Sequence, residues 1–249
     1  MRSAKAENTT AAASIFVNPA QFARHEDLDK YPRTLEADLE KLEAAGCDYL
    51  FMPSVKEMYP QPTVTEGDAQ RGTIVEVKGL SHQLEGSIRP HFFRGVATVV
   101  SKLLVVTMPD RTYFGQKDAQ QCVVVRNLVK DLLFPTEVVV KPTLRESDGL
   151  AMSSRNGYLT PSDREAGICL YRGLSAAKAL FDAGERSTDK LVAAAKTVVQ
   201  AETRVKLQYL NINDPLTLED LKTVHPGDGA IFSGAILTSS TRLIDNIVL

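Results

Sequence analysis

A short polar segment, Phe114–Asp118, combines residue types that can bind a nucleotide. It lies between a predicted strand over Thr112–Phe114 and a predicted helix over Asp118–Leu133. Ligands of open parallel sheets bind at the carboxyl ends of strands, and a helix N-terminus presents free N–H groups to anions. Lys117 adds a mobile positive charge, and Asp118 can accept hydrogen bonds from a ribose. The segment matches neither the P-loop nor GxGxxG, so on spacing alone an ordinary turn with Asp118 as helix cap is favoured.

A second candidate segment spans Asp148–Asn156, where Ser153 and Ser154 stand beside Arg155. Hydroxyl groups next to a guanidinium suit phosphate oxygens, because such hydrogen bonds are charge-assisted. The same residue types also favour solvated linkers. Taken alone, the phosphate-binding and linker interpretations are equally favoured.

Two further segments are weaker candidates, Asn18–Phe22, which contains Gln21, and Arg89–Arg94, which contains His91. Taken singly, the first is better read as a proline turn and the second as a basic surface turn. Three of the four segments follow predicted strands or lie at a domain boundary, so we expect them to converge at one crevice. Because no Ser-His-Asp or Cys-His arrangement accompanies them, they favour nucleotide binding and alignment over covalent catalysis.

Hydrophobic periodicity predicts the elements that position these segments. Strands are predicted over 14–17, 49–52, 112–114 and 137–141, and helices over 33–45, 95–108 and 118–133. This alternation is typical of an α/β fold with a parallel sheet. Helices over 160–183 and 189–202, followed by strands over 205–213, 230–237 and 243–249, predict a small C-terminal α+β domain. We therefore expect a disordered leader over 1–13, a nucleotide-binding domain over 14–143 and a lid domain over 144–249.

Composition excludes several classes of protein. The 249 residues carry a net charge of -2, which offers no large basic excess for nucleic acid or an anionic membrane. No apolar run approaches the length of a membrane-spanning helix. The three cysteines, Cys47, Cys122 and Cys169, are far apart and form no CxxC, which argues against a disulfide framework or a zinc site. A reducing, cytoplasmic location is the expectation.

Five motifs resemble the pantoate–β-alanine ligase (pantothenate synthetase) family: SIFVNPAQF, YPRTLEADL, GQKDAQQ, RESDGLAMSSRNGYL and TRLIDN. The resemblance runs from Ser14 to Leu249. It implies a Rossmann-like, nucleotidyltransferase-type fold with a small C-terminal domain. It also implies that pantoate and β-alanine are condensed through a pantoyl adenylate, with ATP giving AMP and pyrophosphate. Mg²⁺ and a homodimer are further implications.

The resemblance also implies roles for individual residues. Gln21 and Gln121 resemble the glutamines that hold pantoate, and Gln21 also borders the β-alanine site. ATP binding is implied for Gly115, Gln116, Lys117, Asp118, Leu144, Met152, Ser153, Ser154 and Arg155. Within that set Lys117, Ser153, Ser154 and Arg155 would act on the phosphates as the catalytic groups. Asp118 would bind the ribose, and the backbone of Leu144 would meet adenine.

The sequence departs from the family pattern in two places. It contains no HxGH motif, which in the family binds ATP phosphates, and Phe92 stands where a histidine is usual. From this we expect an N-terminally incomplete sheet and impaired turnover. A non-catalytic protein that binds ligand or dimerises is the alternative. A nucleotidyl transferase with another acceptor is a further alternative, against which the paired Gln21 and Gln121 argue.

Overall fold

The computed structural model describes residues 1–23, 26–60 and 72–249. In this part of the chain the helices are α1 (Arg2–Glu7), α2 (Leu35–Ala44), α3 (Val55–Met58), α4 (Glu85–Ile88), α5 (Phe92–Thr107), α6 (Ala119–Asp131), α7 (Pro161–Gly167), α8 (Cys169–Asp182) and α9 (Thr188–Gln200). The strands are β1 (Ala12–Ser14), β2 (Tyr49–Phe51), β3 (Arg111–Gly115), β4 (Glu137–Lys141), β5 (Lys206–Asn213), β6 (Ile231–Leu237) and β7 (Arg242–Val248).

Residues 1–13 are ordered, so the predicted disordered leader is wrong. They form α1 and the start of β1. The Lys5 ammonium lies 2.9 Å from a carboxylate oxygen of Asp48, and the Ala11 N–H donates to the same carboxylate at 2.8 Å. These bonds, first that from Ala11 and then that from Lys5, lower the pKa of Asp48. The segment is polar and small when read locally, and the partner that orders it lies 43 residues from Lys5.

Strands β1 and β2 pair in parallel, with Ala12 opposite Tyr49 and Ser14 opposite Phe51. β3 and β4 form a second two-stranded sheet. The α/β fold class is therefore confirmed. The first strand begins two residues before the predicted Ser14, although the Ile15 N–H still donates to the Phe51 carbonyl at 3.1 Å.

The C-terminal elements form the predicted α+β arrangement. Strands β5, β6 and β7 make an antiparallel sheet in that order. Helices α8 and α9 pack together, and their apolar side chains share one core with the sheet. The largest fully buried members of this core are Leu170, Leu174, Leu191, Phe232 and Ile236. Burial of each such side chain contributes about 1.5–3 kcal/mol.

The chain divides into two compact units, the first formed by residues 1–113 and 127–138 and the second by residues 114–126 and 139–249. The second unit thus joins the nucleotide-binding candidate segment at 114–118 to the C-terminal elements. The predicted domain boundary between residues 143 and 144 stays a prediction. Among the described residues, no helix has both the length and the apolar character needed to cross a bilayer.

Helix α7 begins as the sequence predicts, with Thr160 as its cap and Pro161 in its first turn. The Thr160 hydroxyl accepts a hydrogen bond from the Asp163 N–H at 3.1 Å. The predicted single helix over 160–183 is wrong in one detail, because α7 ends at Gly167 and α8 begins at Cys169. The Asp163 carboxylate is buried and accepts bonds from the Ser239 N–H at 3.1 Å and its hydroxyl at 2.9 Å. It thereby ties α7 to the turn between β6 and β7.

These bonds make the stability of the second unit depend on acid pH. Hydrogen bonds from Ser240 and then Ser239 lower the pKa of Asp163 from its ordinary 3.8 to about 2. A carboxylate whose pKa is lower in the folded state than in the unfolded state stabilises the fold at pH values above its unfolded-state pKa. That stabilisation is lost as the pH falls through the folded-state pKa. We therefore expect D163N to have a lower thermal unfolding midpoint than the parent at pH 5, with a gap that narrows between about pH 4 and pH 2. A gap that stays constant across this range contradicts the assignment.

Candidate active site

The first candidate segment folds as the sequence predicts. Strand β3 ends at Gly115, a 3₁₀ turn covers Gln116–Asp118, and α6 follows at Ala119. A Cβ placed on Gly115 would meet no atom within 4 Å, so there is open space beside the backbone at this point. The Lys117 ammonium lies 3.5 Å from a carboxylate oxygen of Asp118. That contact is at the long end of the hydrogen-bonding range, so it holds the ammonium weakly.

Cys122 contacts this turn, and its thiol is buried. Its sulfur donates to the Gly115 carbonyl at 3.4 Å, and its side chain is buried. Burial raises the pKa of the Cys122 thiol to about 12. A neutral thiol is a poor nucleophile and a weak donor, so the residue supports the backbone of the turn.

The second candidate segment begins with a tight hairpin. The Met152 N–H donates to the Leu144 carbonyl at 2.9 Å, and the Glu146 N–H donates to the Leu150 carbonyl at 2.9 Å. Gly149 makes the turn with a φ of +96°, and a Cβ there would lie 2.7 Å from a ring carbon of Tyr171. Only glycine fits such a backbone and such a contact. The hairpin brings together two predicted ATP-binding residues, Leu144 and Met152.

Three of the four residues predicted to act on the phosphates, Ser153, Ser154 and Arg155, lie together on the next turn. Ser153 caps a 3₁₀ helix over Ser154–Tyr158, and its hydroxyl accepts from the Arg155 N–H at 3.3 Å. The Asn156 side chain donates to the Ala151 carbonyl at 3.0 Å, which joins this turn to the hairpin. Hydroxyl and guanidinium groups are thus presented on one short, braced segment.

Two buried residues of β7, Asp245 and Asn246, anchor these segments, and sequence reasoning gave neither residue a role. The Asn246 amide donates to the carbonyls of Gln116 at 2.9 Å and Lys117 at 2.8 Å. The Asp245 carboxylate accepts two bonds from Arg145 of the hairpin, at 2.6 and 3.0 Å. The available signal was the TRLIDN motif, which contains both residues and supported the family resemblance.

Gln21 lies in the first unit, at the end of a 3₁₀ turn over Pro19–Gln21. Its amide oxygen accepts from the Asn18 side chain at 3.2 Å. Asn18 is 3% exposed, donates to the Gly95 carbonyl at 3.1 Å and accepts from the Tyr59 hydroxyl at 2.8 Å. Asn18 therefore supports Gln21, and sequence reasoning identified its segment without singling out its side chain.

Close backbone packing places Gln21. A Cβ on Gly95 would lie 2.4 Å from the Ala20 carbonyl oxygen and 2.7 Å from the Gln21 Cα. Because Gly95 has no side chain, α5 approaches the turn directly. Arg89 fixes the turn from another side, pairing with Glu26 at 2.6 Å and donating to the Gln21 carbonyl at 3.3 Å. In the Arg89–Arg94 segment this guanidinium therefore braces Gln21.

The second predicted pantoate glutamine, Gln121, lies in the first turn of α6. Gln121 and all of the predicted ATP-binding residues belong to the second unit. Gln21 and the other predicted site residues lie in different units, and their predicted convergence stays a prediction. Across residues 1–23, 26–60 and 72–249, no three histidine, cysteine, aspartate or glutamate side chains are grouped to hold a metal ion. A metal held mainly by protein carboxylates does not fit these residues.

Comparison with known proteins identifies the family. The sequence profile described as Pantoate-beta-alanine ligase matches residues 1–248. The match includes residues 1–13, which lie outside the resemblance carried by the five motifs. Pantothenate synthetase from Herpetosiphon aurantiacus is 48% identical over 249 residues, which are 100% of this chain and 87% of that protein. The pantothenate synthetase of Acidobacterium capsulatum is 50% identical, over 100% of this chain and 80% of that protein.

Solved structures agree with the sequence comparison. The crystal structure of pantothenate synthetase from Thermus thermophilus superposes with a TM-score of 0.89 at 43% identity, covering 99% of this chain and 86% of that one. A pantoate-beta-alanine ligase from Francisella tularensis, complexed with beta-gamma ATP and beta-alanine, gives a TM-score of 0.75 at 33% identity, covering 99% and 82%. Together with the segments anchored on β7, these matches show that the chain belongs to the pantoate–β-alanine ligase family.

Proposed function

We propose that the segments anchored on β7 bind ATP and activate pantoate as a pantoyl adenylate. The chain is a ligase of a family that condenses pantoate with β-alanine at the expense of ATP. One observation carries the assignment to these segments. The turn at Gln116–Asp118 and the hairpin before Ser153 are both bonded to adjacent residues of one strand. Cationic and hydroxyl groups from two distant parts of the sequence thereby share one rigid support.

The two half-reactions need alignment more than a protein nucleophile. A carboxylate oxygen of pantoate attacks the α-phosphorus of ATP, and the bond to the bridging oxygen breaks to release pyrophosphate. The β-alanine amine then attacks the acyl carbon of the mixed anhydride, loses its proton and expels AMP. Positioning of the reactants and stabilisation of charge on the leaving phosphates are the protein's contributions. The buried, neutral thiol of Cys122 is consistent with a mechanism that uses no protein nucleophile.

For ATP we propose that Lys117 and the N-terminus of α6 bind the phosphates and that Asp118 accepts hydrogen bonds from the ribose. The open space at Gly115 supports close approach of the nucleotide. The backbone of Leu144 is proposed to meet adenine. Its carbonyl accepts one bond inside the hairpin and retains a second lone pair for a ligand. The named complex of the Francisella tularensis relative with beta-gamma ATP and beta-alanine supports these two ligands for this chain.

Charge on the pyrophosphate leaving group is proposed to be met by Ser153, Ser154 and Arg155. The bond from the Arg155 N–H to the Ser153 hydroxyl holds this segment in a 3₁₀ turn. Pantoate is proposed to contact Gln21 and Gln121, whose amides can both donate and accept. Because the Gln21 amide oxygen accepts from Asn18, the Gln21 NH₂ group is the one proposed to donate to a carboxylate or hydroxyl of pantoate.

We expect two variants to separate these roles. K117M removes the ammonium and keeps a side chain of similar length. It should lower kcat for pantoate-dependent ATP–pyrophosphate exchange by about 100-fold or more, because a charge contact to the reacting phosphates is lost.

Q21E keeps the oxygen that accepts from Asn18 and adds a negative charge facing pantoate. It should raise KM for pantoate about tenfold or more while changing KM for ATP little.

K196M, on the exposed face of α9, is the matched control and should exchange at the parent rate. A K117M rate equal to the control removes Lys117 from adenylation. An unchanged KM for pantoate in Q21E removes Gln21 from pantoate binding. A parent protein that binds ATP or pantoate by calorimetry but catalyses no exchange indicates the non-catalytic alternative.

Mg²⁺ is proposed to enter as the complex with ATP. The described residues offer no cluster of carboxylates to hold it, which suits an ion bound by phosphate oxygens and water with little protein ligation. When bound it would neutralise charge on the leaving phosphates. We expect EDTA to abolish exchange and Mg²⁺ to restore it, while metal-free protein keeps its thermal unfolding midpoint unchanged. A fall in that midpoint on chelation would indicate a structural metal held by the protein.

A homodimer in a reducing, cytoplasmic compartment is also proposed. All three cysteines are free thiols, which suits such a compartment.

The homodimer is proposed from apolar side chains exposed at the end of α5, where Val105, Val106 and Met108 are 62%, 58% and 79% exposed. Surfaces of this kind are commonly buried between subunits. Sedimentation equilibrium should give twice the 27.2 kDa chain mass, and V106K should shift the distribution towards the single chain. A single-chain mass for the parent contradicts the dimer.

A further inference from the structure

The Asn246 side chain holds the backbone of the turn over Gln116–Asp118, the nucleotide turn. Its side chain is 3% exposed and uses both ends of its amide. The NH₂ group donates to the Gln116 and Lys117 carbonyls at 2.9 and 2.8 Å, and the amide oxygen accepts from the Gln116 side chain at 3.1 Å. Rotation of Lys117 about its own backbone would break these bonds. The direction in which Lys117 leaves the chain is therefore set by Asn246.

Asp245 holds the hairpin in a corresponding way. Its carboxylate is 5% exposed and accepts both arms of the Arg145 guanidinium, at 2.6 and 3.0 Å. Arg145 also donates to the Gly149 carbonyl at 3.1 Å and stacks on the Tyr171 ring at 3.8 Å. A bidentate, stacked guanidinium has one geometry. The hairpin that leads into Ser153 is fixed to β7 through this residue.

The two anchors act on opposite faces of one strand. Consecutive side chains of a strand point to opposite faces of the sheet. Leu243, two residues before Asp245, belongs to the core shared with α8 and α9. Asp245 therefore faces that core side, where Tyr171 of α8 lies, and Asn246 faces the nucleotide turn. The two loops are thus held to opposite faces of one strand.

We propose that Asp245 and Asn246 are positioning residues for adenylation, which hold the Lys117 turn and the Ser153–Arg155 turn at one spacing for the triphosphate. The inference rests on the proposed function of those turns. Neither residue contacts the reacting atoms. Asn246 acts through the backbone of Gln116 and Lys117, and Asp245 acts through Arg145.

The test compares the two half-reactions in N246D. This isosteric change replaces the NH₂ donor by a carboxylate oxygen that repels the Gln116 and Lys117 carbonyls. We expect kcat/KM for ATP in pantoate-dependent exchange to fall about 10- to 100-fold, because misplacement near 1 Å costs on that order. Attack of β-alanine on enzyme-bound pantoyl adenylate formed beforehand should stay within about twofold of the parent, since the triphosphate has left. D245N should show the same selective loss.

V248T is the matched control, because Val248 lies on β7, on the same face as Asn246, and is 51% exposed. It should match the parent in both steps. A merely structural role would lower the active fraction and reduce both steps equally, which would overturn the inference, as would parental exchange in N246D. If N246D does not fold, N246S removes the donor pair without adding charge and is read by the same ratio. Absence of exchange in the parent itself would instead overturn the proposed function.

Discussion

Two adjacent buried polar residues on β7, Asp245 and Asn246, are the constraint on which the segments proposed to bind the nucleotide depend. A buried polar group is costly unless each of its hydrogen bonds is made. Removing one partner of a buried ion pair such as Arg145–Asp245 typically costs about 3–5 kcal/mol, because the remaining charge is left uncompensated. This penalty makes alternative arrangements of the hairpin and the nucleotide turn unfavourable. Two segments that are individually short and polar are held rigid by it.

The first unit uses the same device around Asn18. Asn18 caps the 3₁₀ turn that ends at Gln21, donates to the Gly95 carbonyl and accepts from the Tyr59 hydroxyl. Burial raises the pKa of the Tyr59 hydroxyl to about 12, so it remains a donor over the whole physiological range. In both units a buried asparagine amide fixes the backbone next to a side chain that is proposed to bind a ligand. The proposed mechanism aligns two small substrates and a nucleotide without a protein nucleophile, and it requires this kind of rigidity.

Regular elements with strong periodicity were predictable. β4 over Glu137–Lys141 is predicted to the residue, and α6 differs from the predicted 118–133 by one or two residues at each end. Thr160 and Pro161 predicted the start of α7, because a cap and a proline in the first helical position act locally. The ordered segment 1–13 was not predictable, because the bonds that order it come from Asp48. The Leu144–Met152 hairpin was missed for a similar reason, since its composition is also that of a linker.

The sequence by itself determined the family, the fold class and the identity of the candidate residues, because motifs such as GQKDAQQ and SSRN are local strings whose order and spacing are specific. The sequence also favoured binding and alignment over covalent catalysis, because no Ser-His-Asp or Cys-His arrangement accompanies the candidate segments. Only the tertiary structure decided which residues hold those strings in place. Hydrogen bonds join Asn246 to Lys117 across 129 positions and Arg145 to Asp245 across 100. Contacts between residues so far apart leave no periodicity in the sequence, because they depend on how the strand and the loops pack together.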